Sequence, residues 1–177
     1  MDPVLYKVTS CRATRARCSW VVGLLGIAAL GLAGCGSTPL PSRDAALAAD
    51  GAVVSAQRRE VVRVASQQIG TPYRYGGSNR VGFDCSGLVQ YSHREAGIQV
   101  PRTTGLQWQH ARTPRRENLV PGDLLFFRMG TAKSRHVGIY AGDGVFIHAP
   151  SSGKRVGRAS MDNPFWRRRL IGAKTFL

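Results

Sequence analysis

Val61, Ala65 and Ile69 fall four residues apart, with Val62 beside them, and predict a helix ending at Gly70, where Pro72 bars continuation. A glycine-ended loop, Tyr73-Arg74-Tyr75-Gly76-Gly77, leads to a second helical pattern that opens at Cys85. Leu88, Val89, Tyr91 and Ser92 give that helix one buried face. Asp84 stands where an N-cap belongs, and Gly97 supplies a stop just after Ala96. Residues 102–111 suggest a short irregular helix containing Trp108, and residues 112–121 a charged loop. From Asp123 onward the pattern changes. Leu124-Leu125-Phe126-Phe127 reads as a buried strand, and Leu170–Phe176 as a last one. His136–Tyr140 and Val145–Ala149 read as a hairpin around Gly142-Asp143-Gly144. Helices first and antiparallel strands later indicate an α+β domain.

The start of the chain follows a different logic. Lys7, Arg12, Arg15 and Arg17 precede an apolar run, Trp20 to Leu32. The run falls short of the roughly 20 residues that span a bilayer and fits a signal-peptide core. It ends in Leu32-Ala33-Gly34-Cys35, which resembles a bacterial lipobox. Residues 1–34 are therefore expected to be a lipoprotein signal peptide, with Cys35 as the lipidated N-terminus. An ordinary signal peptide that happens to meet a cysteine is the competing reading. Residues 35–55 then form a Gly-, Ser-, Pro-, Ala- and Asp-rich flexible tether with no sustained apolar period. Residues 56–177 are left as one domain, large enough for one compact core.

Removing the leader takes Cys11 and Cys18 with it, and lipid occupies Cys35. Cys85 is then a single free thiol in an exported protein, a setting that points to reactivity. Its place in the first turn of a helix favours thiolate through the macrodipole. The alternative is a small buried core cysteine. Residues 36–177 carry 21 Lys and Arg against 9 Asp and Glu, a surface suited to a polyanion. No helix-turn-helix, zinc-finger or single-strand-binding pattern accompanies the charge, so export directs it toward anionic envelope polymers or lipid headgroups, with no specific nucleic-acid partner.

A thiolate nucleophile needs a base, and the base needs an orienting group. His93 lies two helical turns beyond Cys85 and His110 in a polar segment, which leaves His136 and His148. A three-residue turn, Ala141 to Asp143, would set His136 opposite His148 on one face. A two-residue turn would put them on opposite faces, so the pairing demands the odd-numbered turn or a bulge. The same three side chains could instead hold zinc, but their spacing matches no close-set ligand pattern, and neither metal nor cofactor is expected.

Five segments in order then resemble the signatures of the NlpC-type cell-wall peptidases. They are Thr71-Pro72-Tyr73-Arg74-Tyr75-Gly76-Gly77, Asp84-Cys85-Ser86-Gly87-Leu88, Pro121-Gly122-Asp123-Leu124-Leu125-Phe126-Phe127, His136-Val137-Gly138-Ile139-Tyr140 and Phe146-Ile147-His148-Ala149-Pro150. With the lipobox and short tether, the chain looks most like the small single-domain murein endopeptidase lipoproteins of Gram-negative bacteria, and Trp166-Arg167-Arg168-Arg169 also fits that subgroup. The resemblance implies a papain-like fold with N-terminal helices packed on a central antiparallel sheet. It implies Cys85 as nucleophile, His136 as general base and acid, and His148 as the group that orients His136. Tyr73 would serve the oxyanion hole, and Asp84 and Ser86 would bind substrate. Peptidoglycan stem peptides are the implied substrate, cut at the D-alanyl–diaminopimelate crosslink or at γ-D-glutamyl–diaminopimelate, with the first preferred. A monomer anchored by lipid to the periplasmic face of the outer membrane is expected. An acyltransferase or amidase on the same fold, and a wall-binding scaffold without catalysis, remain as alternatives.

Overall fold

The computed structural model describes residues 43–114, 118–130 and 135–177. The expected signal peptide, the lipidation site Cys35 and residues 36–42 of the tether lie outside the described residues. Strands β3 (Leu124–Arg128), β4 (Arg135–Gly142), β5 (Val145–His148), β6 (Gly157–Ser160) and β7 (Leu170–Lys174) form one antiparallel sheet in the order β6-β5-β4-β3-β7. Helices α1 (Arg43–Gln67) and α2 (Cys85–Glu95) supply Val61, Val64, Ala65, Leu88 and Val89 to a core shared with Leu124, Phe126, Val137, Ile139 and Ile147. The opposite face of the sheet carries Leu125, Phe127 and Phe146 against Met161 and Trp166. Both faces of β3 are thus covered, which is why its apolar run is continuous rather than alternating.

The first helix differs from expectation at both ends. It reaches back to Arg43, so residues 43–55, read as a flexible tether, are helical. Ala48, Ala49, Ala52 and Ala56 give this stretch helix propensity without any apolar stripe, and propensity leaves no periodic signature. At the other end the helix stops at Gln67, and Ile69, expected on the buried face, is 42% exposed while Val64 is buried in its stead. Arg58 of α1 donates to the fully buried Asp123 Oδ1 (2.9 Å), to Thr175 Oγ1 (3.1 Å) and to the Leu177 carbonyl (3.0 Å), tying the helix to the head of β3 and the chain end. The pattern did not reveal the two-residue strands β1 (Ser78–Asn79) and β2 (Gly82–Phe83), the polar strand β6, or the turn-length helix α4 (Pro164–Arg167). Each is too short or too polar to leave a period.

The hairpin register is the main correction. Ile139 faces Ile147 and Tyr140 faces Phe146, which sets His148 across from Gly138 and diagonal to His136, not opposite it. The chain turns through Asp143 (φ 50°) and Gly144 (φ 70°), the mirror-image turn that strand twist favours. Alone, that two-residue turn would place the histidines on opposite faces. A bulge between Tyr140 and Gly142 inserts the extra residue that returns both to one face.

Gly138 is required by packing. A Cβ there would sit 2.5 Å from the Phe146 ring, which packs against His148. Gly138→Ala is expected to destabilise the domain by about 1–3 kcal/mol through overpacking, read as a lower denaturation midpoint with an unchanged slope.

Candidate active site

A cleft of about 640 Å³ opens at the end of the sheet, where β3 ends, β4 begins and α2 starts. Its lining includes Tyr73, Tyr75, Asp84, Cys85, Ser86, Arg102, Met129, Arg135 and His136. Asp84 organises one side. Its Oδ1 accepts from the Gly87 N–H (2.6 Å), as an N-cap should, from the Ser86 hydroxyl (3.1 Å) and from Arg102 Nη1 (2.9 Å). Its Oδ2 accepts from the Gly76 N–H (3.1 Å) and from Arg102 Nη2 (2.6 Å). Burial alone would raise its pKa, but the Arg102 fork and the Gly87 N–H outweigh that and hold the carboxyl below its usual range. Gly87 lets the loop approach this closely, since a Cβ there would lie 2.0 Å from the Gly77 carbonyl oxygen.

Cys85 follows the cap directly. Its sulfur lies 3.6 Å from the Thr104 hydroxyl at the start of α3 (Thr104–His110). The helix start favours thiolate, yet the balance runs the other way. Burial pushes the thiol up and the nearby Asp84 charge adds to this. The Thr104 hydroxyl and the backbone N–H groups of Val137 and Ser86 offset only part of it. At rest the group is a thiol.

Tyr73 reaches the cleft because its segment is stitched on two sides. Its N–H donates to the Lys154 carbonyl (2.8 Å), and Phe83 N–H donates to the Pro72 carbonyl (3.1 Å). Burial first, then the Asp84 charge, pushes the phenol up, so it stays a hydrogen-bond donor.

His136 lines the cleft, and His148 stands behind it, with 2.9 Å between His136 Nε2 and His148 Nδ1. When His136 Nε2–H donates in this bond, the unprotonated Nδ1 of His136 remains available as an acceptor. The pair is enclosed by rings. Trp166 stacks on His136 (centroids 5.5 Å apart, 29° between planes) and meets His148 edge-on at 4.9 Å. Phe146 lies 5.1 Å from His148 and Phe127 6.4 Å from His136. Burial lowers His136 to about 3, with the second imidazole adding to it, and lowers His148 to about 4, with the Lys154 charge adding to it. Both are neutral near pH 7.

The other two histidines stand apart. His93 is fully buried in the core with Nδ1 2.9 Å from the Val89 carbonyl, and His110 is exposed. Among the described residues no group of three or more His, Cys, Asp or Glu side chains converges as a metal site requires. Several residues of the site carried no warning in the sequence. Gln107 is buried and donates to the Ser86 and Pro101 carbonyls (2.9 and 2.8 Å), bracing the cysteine helix. Arg102 comes from a polar segment before α3, and Trp166 from the single-turn helix α4. Of these, only Trp166 left a trace, in the Trp166-Arg167-Arg168-Arg169 run that fits the resembled subgroup.

Residues 70–175 match the NlpC/P60 family, and the chain belongs to it. It is 39% identical over 153 residues to "Probable endopeptidase NlpC" of Escherichia coli K12, covering 85% of this chain and 96% of that one. Identity is also 39%, over 139 residues, to "Murein DD-endopeptidase MepH" of the same organism, covering 72% of this chain but only 51% of that relative. A solved NlpC/P60 family protein from Bacillus cereus superposes with a TM-score of 0.63 at 31% identity, over 68% of this chain and 40% of that one. The papain-like α+β class follows from this fold match.

Two measurements probe the buried imidazoles. An exposed imidazole in the unfolded chain takes a proton below about 6.5, whereas His136, His148 and His93 resist protonation until about 3, 4 and 4. As pH falls from about 6.5 toward 4 the unfolded state therefore binds more protons, and stability is lost across that window. Above it these groups add no pH dependence. The melting temperature against pH checks this, and a flat profile from 6.5 to 4 would contradict it. Trp166→Ala admits water to the pair and is expected to raise both titrations toward 6.5, followed by imidazole NMR.

Proposed function

We propose that this chain is a peptidoglycan endopeptidase that works through Cys85, His136 and His148. The observation carrying the proposal is the single cleft that Cys85 and His136 line, with His136 bonded through its far nitrogen to His148. Membership of the NlpC/P60 family and a relative named as a murein DD-endopeptidase support peptidoglycan as the substrate. That relative's name is the ground for preferring the D-alanyl–diaminopimelate crosslink, while a relative named a gamma-DL-glutamyl hydrolase keeps γ-D-glutamyl–diaminopimelate as the alternative.

Because the thiol is protonated and both imidazoles neutral at rest, the reaction starts from uncharged partners. His136 takes the Cys85 proton as the sulfur attacks the peptide carbonyl, and the new C–S bond leaves a tetrahedral oxyanion. The Tyr73 hydroxyl and backbone N–H groups near Cys85 stabilise that charge. The oxyanion collapses, the C–N bond breaks, and His136 returns its proton to the departing amine. A water activated by His136 then splits the thioester and restores the thiol. His148 accepts from His136 Nε2 and shares the transient positive charge. Asp84 and Ser86, held by Arg102, form the wall that receives the substrate's amino group. The lipobox and the apolar leader support lipid attachment at Cys35 and residence on the periplasmic face of the outer membrane, with the domain acting as a monomer.

Digestion of purified sacculi tests this reading. The wild type is expected to release crosslink-cleaved fragments whose masses identify the bond, and Cys85→Ala none. Tyr73→Phe should lose on the order of 10²-fold or more in kcat. An unaltered sacculus, or full turnover by Cys85→Ala, would overturn the proposal.

A further inference from the structure

A second concavity, of about 540 Å³, lies close to the cleft, and among the described residues no acidic side chain lines it. It is lined by Arg128, Gly130, Arg168, Arg169, Leu170 and Ile171. Residues 128–130 separate the two, since Met129 lines the cleft while Arg128 and Gly130 line the groove. Arg128 and Arg169 are held together by the backbone, the Arg128 N–H donating to the Arg169 carbonyl at 2.8 Å. The Arg169 guanidinium is set in place over the Phe165 ring, 3.8 Å from its centroid, and donates to the Phe165 carbonyl at 3.0 Å. Arg128 and Arg168 are exposed, and among the described residues none of the three arginines forms an ion pair with a carboxylate. Asp162 lines the adjoining hollow with Trp166 and Arg167.

Three arginines line one depression, and the repulsion among their charges is relieved when an anion enters. Planar guanidinium forks suit carboxylates, which they can bind through two parallel hydrogen bonds. The stem peptides of peptidoglycan carry free carboxylates repeated along every strand, whereas the cleft engages only the bond to be cut. Resting on the proposed function, we propose that the groove of Arg128, Arg168 and Arg169 is a carboxylate-binding exosite that holds a neighbouring stem peptide of the polymer while the cleft works on another.

The test compares the full chain with its Arg128→Gln, Arg168→Gln, Arg169→Gln triple variant on two substrates, intact sacculi and a small soluble crosslinked muropeptide. The triple variant is expected to lose about tenfold in apparent affinity for sacculi at low salt, as three solvent-exposed ionic contacts would give. The loss should shrink as salt is added, and turnover of the small muropeptide should be unchanged. The corresponding Lys triple variant keeps the charge but loses the guanidinium forks, and should recover only part of the affinity. Equal loss on both substrates, or none on sacculi, overturns the exosite. So does a variant that binds sacculi normally but no longer binds phosphatidylglycerol vesicles, which would make the groove a lipid site. Pelleting of Cys85→Ala with sacculi, with and without the three substitutions, reads the groove without turnover. A wild type inert on both substrates would therefore sink the endopeptidase reading while leaving the groove separately judged.

Discussion

The cleft depends first on one carboxylate. Asp84 caps the helix that begins with Cys85, holds the Gly76 N–H of the preceding loop, and takes both arms of the Arg102 fork. A carboxylate with that many donors is locked in one rotamer, and it locks three separate stretches of chain around the sulfur. Buried or half-buried ionic groups are worth little as stabilisers when their desolvation is counted. The value of this one is geometric: it sets where the head of α2 stands relative to the loop bearing Tyr73.

The electrostatics of the site follow from the same economy of water. Enclosure by Trp166, Phe146 and Phe127 keeps His136 and His148 neutral, and burial keeps Cys85 protonated against the pull of its own helix. A resting ion pair would have to be desolvated twice over. A neutral pair avoids that, and in the proposed mechanism charge separates only when substrate supplies an oxyanion to balance it. The macrodipole is a surface-scale effect of less than about 1 kcal/mol in most settings, too small to outweigh burial at this position.

Much of the architecture was legible from the chain because the strongest periods belong to the elements that bury most surface. Val61 and Ala65, the Cys85 helix with its Asp84 cap and Gly97 stop, and the apolar run of β3 all stand where their patterns indicated. The failures share one cause. Ala-rich residues 43–55 are helical by propensity rather than by packing. β6 and α4 are polar or a single turn long, and Arg102, Gln107 and Trp166 matter only through partners distant in sequence. The histidine pair is the instructive case. Its shared face was a parity requirement visible in the sequence, but the means of meeting it, a mirror-image turn and one bulge, changed the register by two residues.

What the sequence by itself determined was the set of chemical parts: one thiol behind a helix cap, two histidines on one hairpin, a tyrosine in a glycine-ended loop, and an excess of arginine. Local patterns suffice for these because caps, turns and alternation act over a few residues. Only the tertiary structure decided the protonation of those parts, the ring that stacks on His136, the fork that immobilises Asp84, and the gathering of Arg128 with Arg168 and Arg169. Burial and long-range contact set each of these, and both are properties of the packed chain rather than of any stretch of it.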